Sequence, residues 1–426
     1  MGGRLLMRRK LWNKDFILFL VSTAQASFGE ALSGVAFAFL VLKLTNSPSA
    51  MAITLALKFT PSILTPIIAT FIDRIQLKFP IIISNFLRSF ILIIVWWGVK
   101  NGLFGIYAIY NMVLLSGLID TIHDPAAESL IPNLIPKEYL ARGNSLLGVA
   151  NQSMVLIGLI LGGIMVALFG PEISLFIEGI CYSIAGILLF FVSMPSTDTI
   201  LKKSFYEDFI LGFKIVKFSY VIFMIMMINL LLNLITAPIN VLLPIHMIAI
   251  EKGSVGYGVF MGLLIGGLLF GSAIIAVLGK KFDSLYSIAL GWFGFGIAHA
   301  GLGFLNSFYF SLCWAFLLGV NVSILNTGTI VVLQTVIPAE FRARIFGTLS
   351  AVCRLGVFIS LFILSYIIKN VTVGNIFISI MVLSFIFTVV WFFTIKKCGH
   401  DLLLKPIDTN SVEKLSKTES FQPLLP

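Results

Sequence analysis

Charge is scarce in this chain. Of its 426 residues only 11% are Asp, Glu, Lys or Arg, about half the share that a soluble domain carries, which excludes an ordinary water-soluble protein. Cysteine is scarce too. The four residues, Cys181, Cys313, Cys353 and Cys398, are scattered, three of them fall inside apolar runs, and none makes a pair with metal-ligand spacing, so neither a disulfide framework nor a zinc site is indicated. No phosphate-cradling glycine loop, soluble catalytic domain or metal set is present, so neither ATP hydrolysis nor covalent catalysis is suggested and no cofactor is implied. The net charge of +10 is not gathered on one soluble surface, as binding to nucleic acid would require.

What the chain has in abundance is apolar surface. Hydrophobic residues make up 58% of it, with 39 Phe and 36 Gly, and its mean hydropathy is +1.04. These values define an integral membrane protein, with Phe suited to lipid-facing positions and Gly to close helix packing. The basic segment from Arg4 to Lys14 leads into a run too long for a signal-peptide core, and no small-residue cleavage site follows, so no cleavable signal is expected. Stretches of about 20 apolar residues predict spans near 16–42, 50–71, 80–99, 102–123, 146–169 and 173–194. After a charged segment, 195–218, six more are predicted near 221–247, 256–278, 284–305, 308–334, 345–368 and 375–395. The expected organisation is an all-α membrane protein of twelve transmembrane helices. It comprises a six-helix bundle over 1–194, a central loop over 195–218, a second six-helix bundle over 219–397 and a polar, disordered tail over 398–426.

Basic residues cluster on one side of this topology, at Arg4 to Lys14, Arg74 and Lys78, Lys137 and Arg142, the central loop, Lys280 and Lys281, Arg342 and Arg344, and the C-terminal tail. The opposite loops carry Lys100, Lys252 and Lys369. The positive-inside rule therefore places both termini in the cytoplasm, in the inner (plasma) membrane. An internal repeat marks the same halves: Ile135-Pro-Lys-Glu-Tyr-Leu-Ala-Arg142 resembles Ile337-Pro-Ala-Glu-Phe-Arg-Ala-Arg344 at the same topological place in each. Parallel repetition of six-helix halves is the organisation of transporters that bind substrate near the midplane.

The few charges inside the spans are the candidates for function, because an ionised side chain at the bilayer centre costs about 2.5 to 3.5 kcal/mol unless it is paired or wet. Glu30 lies in the middle of the first span and shares a helix face with Thr23, Ser27 and Gly34, while Lys58 lies on a comparable stripe with Thr54, Ser62 and Thr65. Both charges fall near mid-depth. A Glu30–Lys58 ion pair could be purely structural; alternatively Glu30 carries a proton or receives a cationic substrate, although a neighbouring cation favours the ionised acid and opposes proton uptake. Glu178 is the second proton-site candidate, since no cation lies within a turn of it in sequence, and the span positions put it nearer the outer face than Glu30. Arg88 is read as structural, satisfying carbonyls of neighbouring helices, and Arg354 as a substrate or gate residue. Asp120, His123 and Asp124, followed by Pro125, read as a polar cap at the end of the fourth span, with a proton relay as the alternative, and His299 as a hydrogen-bonded packing residue. Asn321 and Asn326, with Gln25, Asn151 and Gln152, could line a cavity.

The segment Ala69-Thr-Phe-Ile-Asp73-Arg74-Ile-Gln-Leu-Lys78 resembles the loop 2-3 signature of the major facilitator superfamily, with Ala69 in place of the usual glycine. That resemblance implies the major facilitator fold and a gating role in which Asp73, Arg74 and Lys78 close the cytoplasmic side against the start of the eleventh span, where Arg344 lies. The motifs Leu11-Trp12-Asn13-Lys14-Asp15-Phe16, Phe28-Gly29-Glu30, Asn85-Phe-Leu-Arg88 and Leu140-Ala-Arg142-Gly-Asn144-Ser145 are most similar to the branch that contains macrolide efflux proteins and the enterobactin exporter. Gly158, Gly162 and Gly163 resemble the superfamily's antiporter signature, with Leu159 replacing its proline, and serve equally as a packing seam or a hinge.

The function implied is proton-coupled efflux of amphipathic small molecules by a single chain working in membrane lipid, with protons and substrate as its partners. The alternatives are transport of a lysophospholipid or lipid-like siderophore, and a non-transporting receptor or assembly partner acting through the tail. The charge bias is directly testable. Green fluorescent protein fused after Pro426 is expected to fluoresce and alkaline phosphatase fused there to be inactive, and the opposite pattern would reverse the orientation.

Overall fold

A computed structural model describes residues 11–64, 78–193, 215, 219–279, 282–304, 307–338, 342–368, 370–399 and 403–404. Every regular element among them is helical. In chain order they are α1 (Lys14–Thr45), α2 (Pro48–Phe59, continued by a 3-10 turn over Thr60–Leu64), α3 (Lys78–Lys100), α4 (Ile106–Leu134), α5 (Leu140–Phe169) and α6 (Glu172–Phe190). They continue with α7 (Tyr220–Thr236), α8 (Ile239–Ala249), α9 (Gly253–Leu278), α10 (Ser284–Phe304), α11 (Phe308–Val336), α12 (Arg342–Ile367) and α13 (Val373–Cys398). Among the described residues, eleven helical segments are long and apolar enough to cross a membrane. Helices suit that solvent because each satisfies its own backbone hydrogen bonds.

Three predicted spans differ from the observed helices. The second, 50–71, is α-helical only to Phe59 and tightens to a 3-10 turn at Pro61, while 65–71 lie outside the described residues. The fourth was expected to stop at Pro125, but α4 continues through it to Leu134. The expected stretch 221–247 is two helices, because Pro238, which has no N–H to donate, separates α7 from α8.

The motif before α1 ties three helix ends together. Asn13 caps α1 by accepting from the Phe16 N–H at 2.9 Å, and its own amide donates to the Leu134 carbonyl at the end of α4 at 2.8 Å. Asp15 accepts from the Ser193 N–H, just past α6, at 2.8 Å. Lys78 donates to the Phe190 and Val192 carbonyls, at 2.8 Å each, so this gate candidate caps the C-terminus of α6. The two copies of the internal repeat end their helices alike. Ile135 and Ile337 are the C-caps of α4 and α11, both extended and both buried, because the proline that follows each disfavours helical backbone at the residue before it.

The chain divides into two compact units, one comprising Met1–Ala50 and Leu57–Lys202, the other Met51–Ala56 and Lys203–Pro426. Within the first, α1 packs on α5 and α6, and α3 on α4 and α6; within the second, α9 packs on α11, α10 on α11 and α13, and α7 on α12. Third-with-sixth, third-with-fourth and first-with-fifth pairings thus recur in both, as a parallel repeat requires. Glycine makes the tightest of them possible. A Cβ on Gly158 would lie 2.6 Å from the Phe28 carbonyl oxygen, one on Gly162 2.7 Å from that of Leu32, and one on Gly319 1.9 Å from that of Leu264. The second unit closes on aromatics. Trp292, Phe295 and Phe377 are fully buried, and the Trp391 indole donates to the Leu285 carbonyl at 2.9 Å.

Gly162→Leu should overpack the α1–α5 seam and cost about 1–3 kcal/mol, read as a lower unfolding temperature in detergent. Gly148→Ala, on the same helix with open space around its added carbon, should be neutral or slightly stabilising; equal losses for both would refute the close-packing role of Gly162.

Candidate functional site

The polar interior of the first unit begins with the antiparallel register of α1 and α6. Ser22 donates to the Ala185 carbonyl at 3.2 Å, Gln25 donates to that of Cys181, and a Cβ on Gly29 would lie 3.3 Å from the Glu178 Cα. One helix therefore steps down the other residue by residue, and Gly29 allows the contact because it has no side chain. The register corrects the expected depth of Glu178. It lies level with Glu30 rather than nearer the outer face, because the two helices run side by side with Gly29 directly against it.

Four more charges join these acids. Lys58, at the end of α2, donates to Glu30 at 3.0 Å, and both side chains stay partly open, 34% and 53% exposed. Arg88 of α3 makes a salt bridge to Asp120 of α4 while its guanidinium lies 5.2 Å from the centroid of the Tyr182 ring. Arg88 thus takes a carboxylate and a ring as partners, not the carbonyls expected of it. Asp120 and Asp124 lie one turn apart within α4 instead of capping it, since the helix runs on past Pro125; His123 Nδ1 is 3.3 Å from Asp124 Oδ1.

Glu178 is the most enclosed of the acids, 5% exposed, and the Ser33 hydroxyl in its neighbourhood donates to the Glu30 backbone carbonyl at 3.2 Å. Its Oε2 has no partner among the described residues, and neither has Arg88 Nε. Two cations and four carboxylates thus share one electrostatic neighbourhood, each felt by several of the others. Opposite charges pair in this way because each lowers the cost of keeping its partner in an apolar surround, while neighbouring acids raise it. Among the described residues no three His, Cys, Asp or Glu side chains are placed to hold a metal ion.

The remaining candidates lie elsewhere. Gly158 and Gly162 pack α5 against α1 at Phe28 and Leu32, flanking Glu30, and Gly163 follows them on α5. Asn321 of α11 donates to the Leu317 carbonyl of its own helix at 2.7 Å and fits against Gly294 of α10; Asn326 is half-buried on α11 and Arg354 half-buried on α12. These three belong to the second unit. Asp73 and Arg74 lie outside the described residues, as does the side chain of Arg344. His299 is fully buried and bonded through Nδ1 to the Phe295 carbonyl at 2.8 Å. Sequence reasoning missed Tyr182 and Ser33, although each lies one turn from a candidate acid on its own helix, and it missed His246, buried 6.1 Å from the ring of Phe377.

The profile of the family described as transmembrane secretion effectors matches residues 10–401. The chain belongs to the major facilitator superfamily, in that family. It is 19% identical over 361 residues to the protein named uncharacterized MFS-type transporter YvqJ of Bacillus subtilis (strain 168), covering 82% of this chain and 84% of that one. It is 20% identical over 179 residues to uncharacterized MFS-type transporter YkuC of the same organism, covering 42% and 41%. Among solved structures, the nucleoside transporter NupG superimposes with a TM-score of 0.73 at 10% identity, over 90% of this chain and 99% of that one. A bacterial homologue of the iron transporter ferroportin, in its inward-facing state, superimposes with a TM-score of 0.72 at 19% identity, over 88% and 98%. These likenesses show the fold. Membership in the superfamily makes the chain a multi-pass membrane protein and a secondary transporter.

The Arg88–Asp120 pair has a measurable consequence. Asp120→Asn leaves a buried guanidinium without its counter-ion and should cost about 3 kcal/mol, whereas Arg88→Met combined with Asp120→Asn should recover much of that stability. Additive losses in thermal unfolding would show that the two side chains do not stabilise one another.

Proposed function

We propose that this major facilitator protein exports amphipathic small molecules of positive charge in exchange for protons, by alternating access, with both termini in the cytoplasm. The observation that carries the reading is the charged interior of the first unit, where among the described residues four carboxylates outnumber two cations and one acid, Glu178, is enclosed with an oxygen that has no partner among them. An excess of acid favours a cationic ligand. An enclosed carboxylate without a counter-ion on one oxygen is costly while charged, and a proton removes that charge. Glu30, already paired with Lys58 and half open, is better suited to receive the ligand's charge. The motifs shared with the macrolide-efflux and enterobactin-exporter branch support outward transport. Exchanging one proton for one monovalent cation moves no net charge, so the pH difference across the membrane drives it, at about 1.4 kcal/mol or about a tenfold outward gradient of substrate per pH unit.

Inverted membrane vesicles test this reading with tetraphenylphosphonium as the probe cation. Acidifying the vesicle interior should drive its uptake, and an uncoupler should stop it. Glu178→Gln is expected to lower the proton-driven rate by about tenfold or more, and Glu30→Gln to raise KM. Full proton-dependent transport by both variants would reject the assignment.

A further inference from the structure

We propose that Lys58 is a displaceable internal counter-ion. Its ammonium passes between Glu30 and the unpartnered oxygen of Glu178, so that Glu30 is open to a cationic substrate only after Glu178 has released its proton. This rests on the exporter reading above and supplies the link between proton and substrate that the reading needs.

Both stations are present in one neighbourhood. Lys58 bonds Glu30 Oε1 at 3.0 Å, and Gly29 brings Glu178 to the same level of α1. The ammonium lies within the electrostatic reach of Glu178 and Asp120 as well as of Glu30. Glu178 Oε2 is an acceptor with no partner among the described residues, on a side chain more than nine-tenths buried. The groups that face Glu178 are Glu30 and Ser33 from α1, Lys58 from α2, Arg88 from α3, and Cys181 and Tyr182 on its own helix. Of the two cations, Arg88 is fixed: its side chain is 7% exposed, bonded to Asp120 and stacked on Tyr182. Lys58 is a compact charge on a four-carbon stem, and its side chain is 34% exposed. Its backbone is held, because α4 approaches so closely that a Cβ on Gly117 would lie 2.3 Å from the Lys58 carbonyl oxygen. Movement therefore belongs to the side chain.

The charges balance in each state. With Glu178 protonated, Lys58 neutralises Glu30 and the three groups sum to zero. When the proton leaves Glu178, that carboxylate attracts Lys58, and the vacated Glu30 takes one monovalent cation; the sum is again zero. Proton and substrate cation thus exclude one another without touching the same oxygen, which is the requirement for exchange. The substrate class follows: a molecule with a single positive charge, since a neutral one gains nothing from Glu30 and a divalent one leaves a charge uncompensated.

The test is equilibrium binding of tetraphenylphosphonium to the purified full-length protein in nanodiscs, at about pH 6 and about pH 8. For the unaltered protein, affinity should rise with pH. Lys58→Met should bind about tenfold more tightly at the lower pH and lose most of the pH dependence, because no internal cation competes. Lys58→Arg, which keeps the charge, should retain weak binding at low pH and guards against a fold defect in the methionine variant. Glu178→Gln should bind weakly at both pH values, with Lys58 held on Glu30. Unchanged or weaker binding in Lys58→Met, or normal high-pH binding in Glu178→Gln, overturns the counter-ion exchange. If proton-driven uptake of the probe into vesicles persists alongside such a result, only this inference fails; if the unaltered protein binds no probe at either pH, the cationic substrate class fails with it.

Discussion

The contact between α1 and α6 at Gly29 governs the polar interior of the first unit. A side chain at that position would strike Cys181 and the backbone of Glu178, and the two helices would have to separate. With glycine there, Ser22 and Gln25 reach carbonyls of α6, and two acidic residues from distant parts of the chain share one level. Gly158 and Gly162 on α5 close the other side of the same stretch of α1. Glu30 is therefore presented by a helix clamped from two directions, which gives its carboxylate a defined place from which to meet Lys58.

Low dielectric then dictates how the remaining charges are arranged. An isolated charge in such a place is expensive, so Arg88 is matched with Asp120 and an aromatic face, and Lys58 with Glu30. Of the two remaining acids, Asp124 contacts His123, and Glu178 is the enclosed one without a paired cation among the described residues. The superfamily fold supplies a repeated scaffold in which this cluster belongs to one unit; the second contributes an aromatic core around Trp292 and Phe377 and two buried histidines, His246 and His299.

Much of the fold was legible because lipid leaves few choices. Long apolar runs become helices, and the Ile-Pro pairs at 135–136 and 337–338 end helices wherever they occur, since the restriction is local and steric. Asn13 and Asp15 were visible as part of a family motif, although their partners at the ends of α4 and α6 were not. Proline was the least reliable guide. Pro125 follows the end of the predicted fourth span yet lies inside α4, whereas Pro238 divides a span that hydropathy treats as continuous. A proline's effect depends on whether neighbouring groups accept the carbonyl it leaves unpaired, and that is settled by packing.

For the site, the sequence by itself determined which side chains carry charge into the apolar spans, that Glu30 and Lys58 fall at similar depth on their helices, and that the chain is a twofold-repeated membrane transporter. The first two follow from composition and periodicity, and the third from the internal repeat and from the resemblance of local motifs to a known transporter superfamily. Only the tertiary structure decided that Glu178 lies level with Glu30, that Arg88 pairs with Asp120, and that Tyr182 and Ser33 join them. The reason is that helix register and rotation are set by where glycines let backbones touch, and such contacts join residues more than a hundred positions apart, such as Gly29 and Glu178, which no sequence period relates.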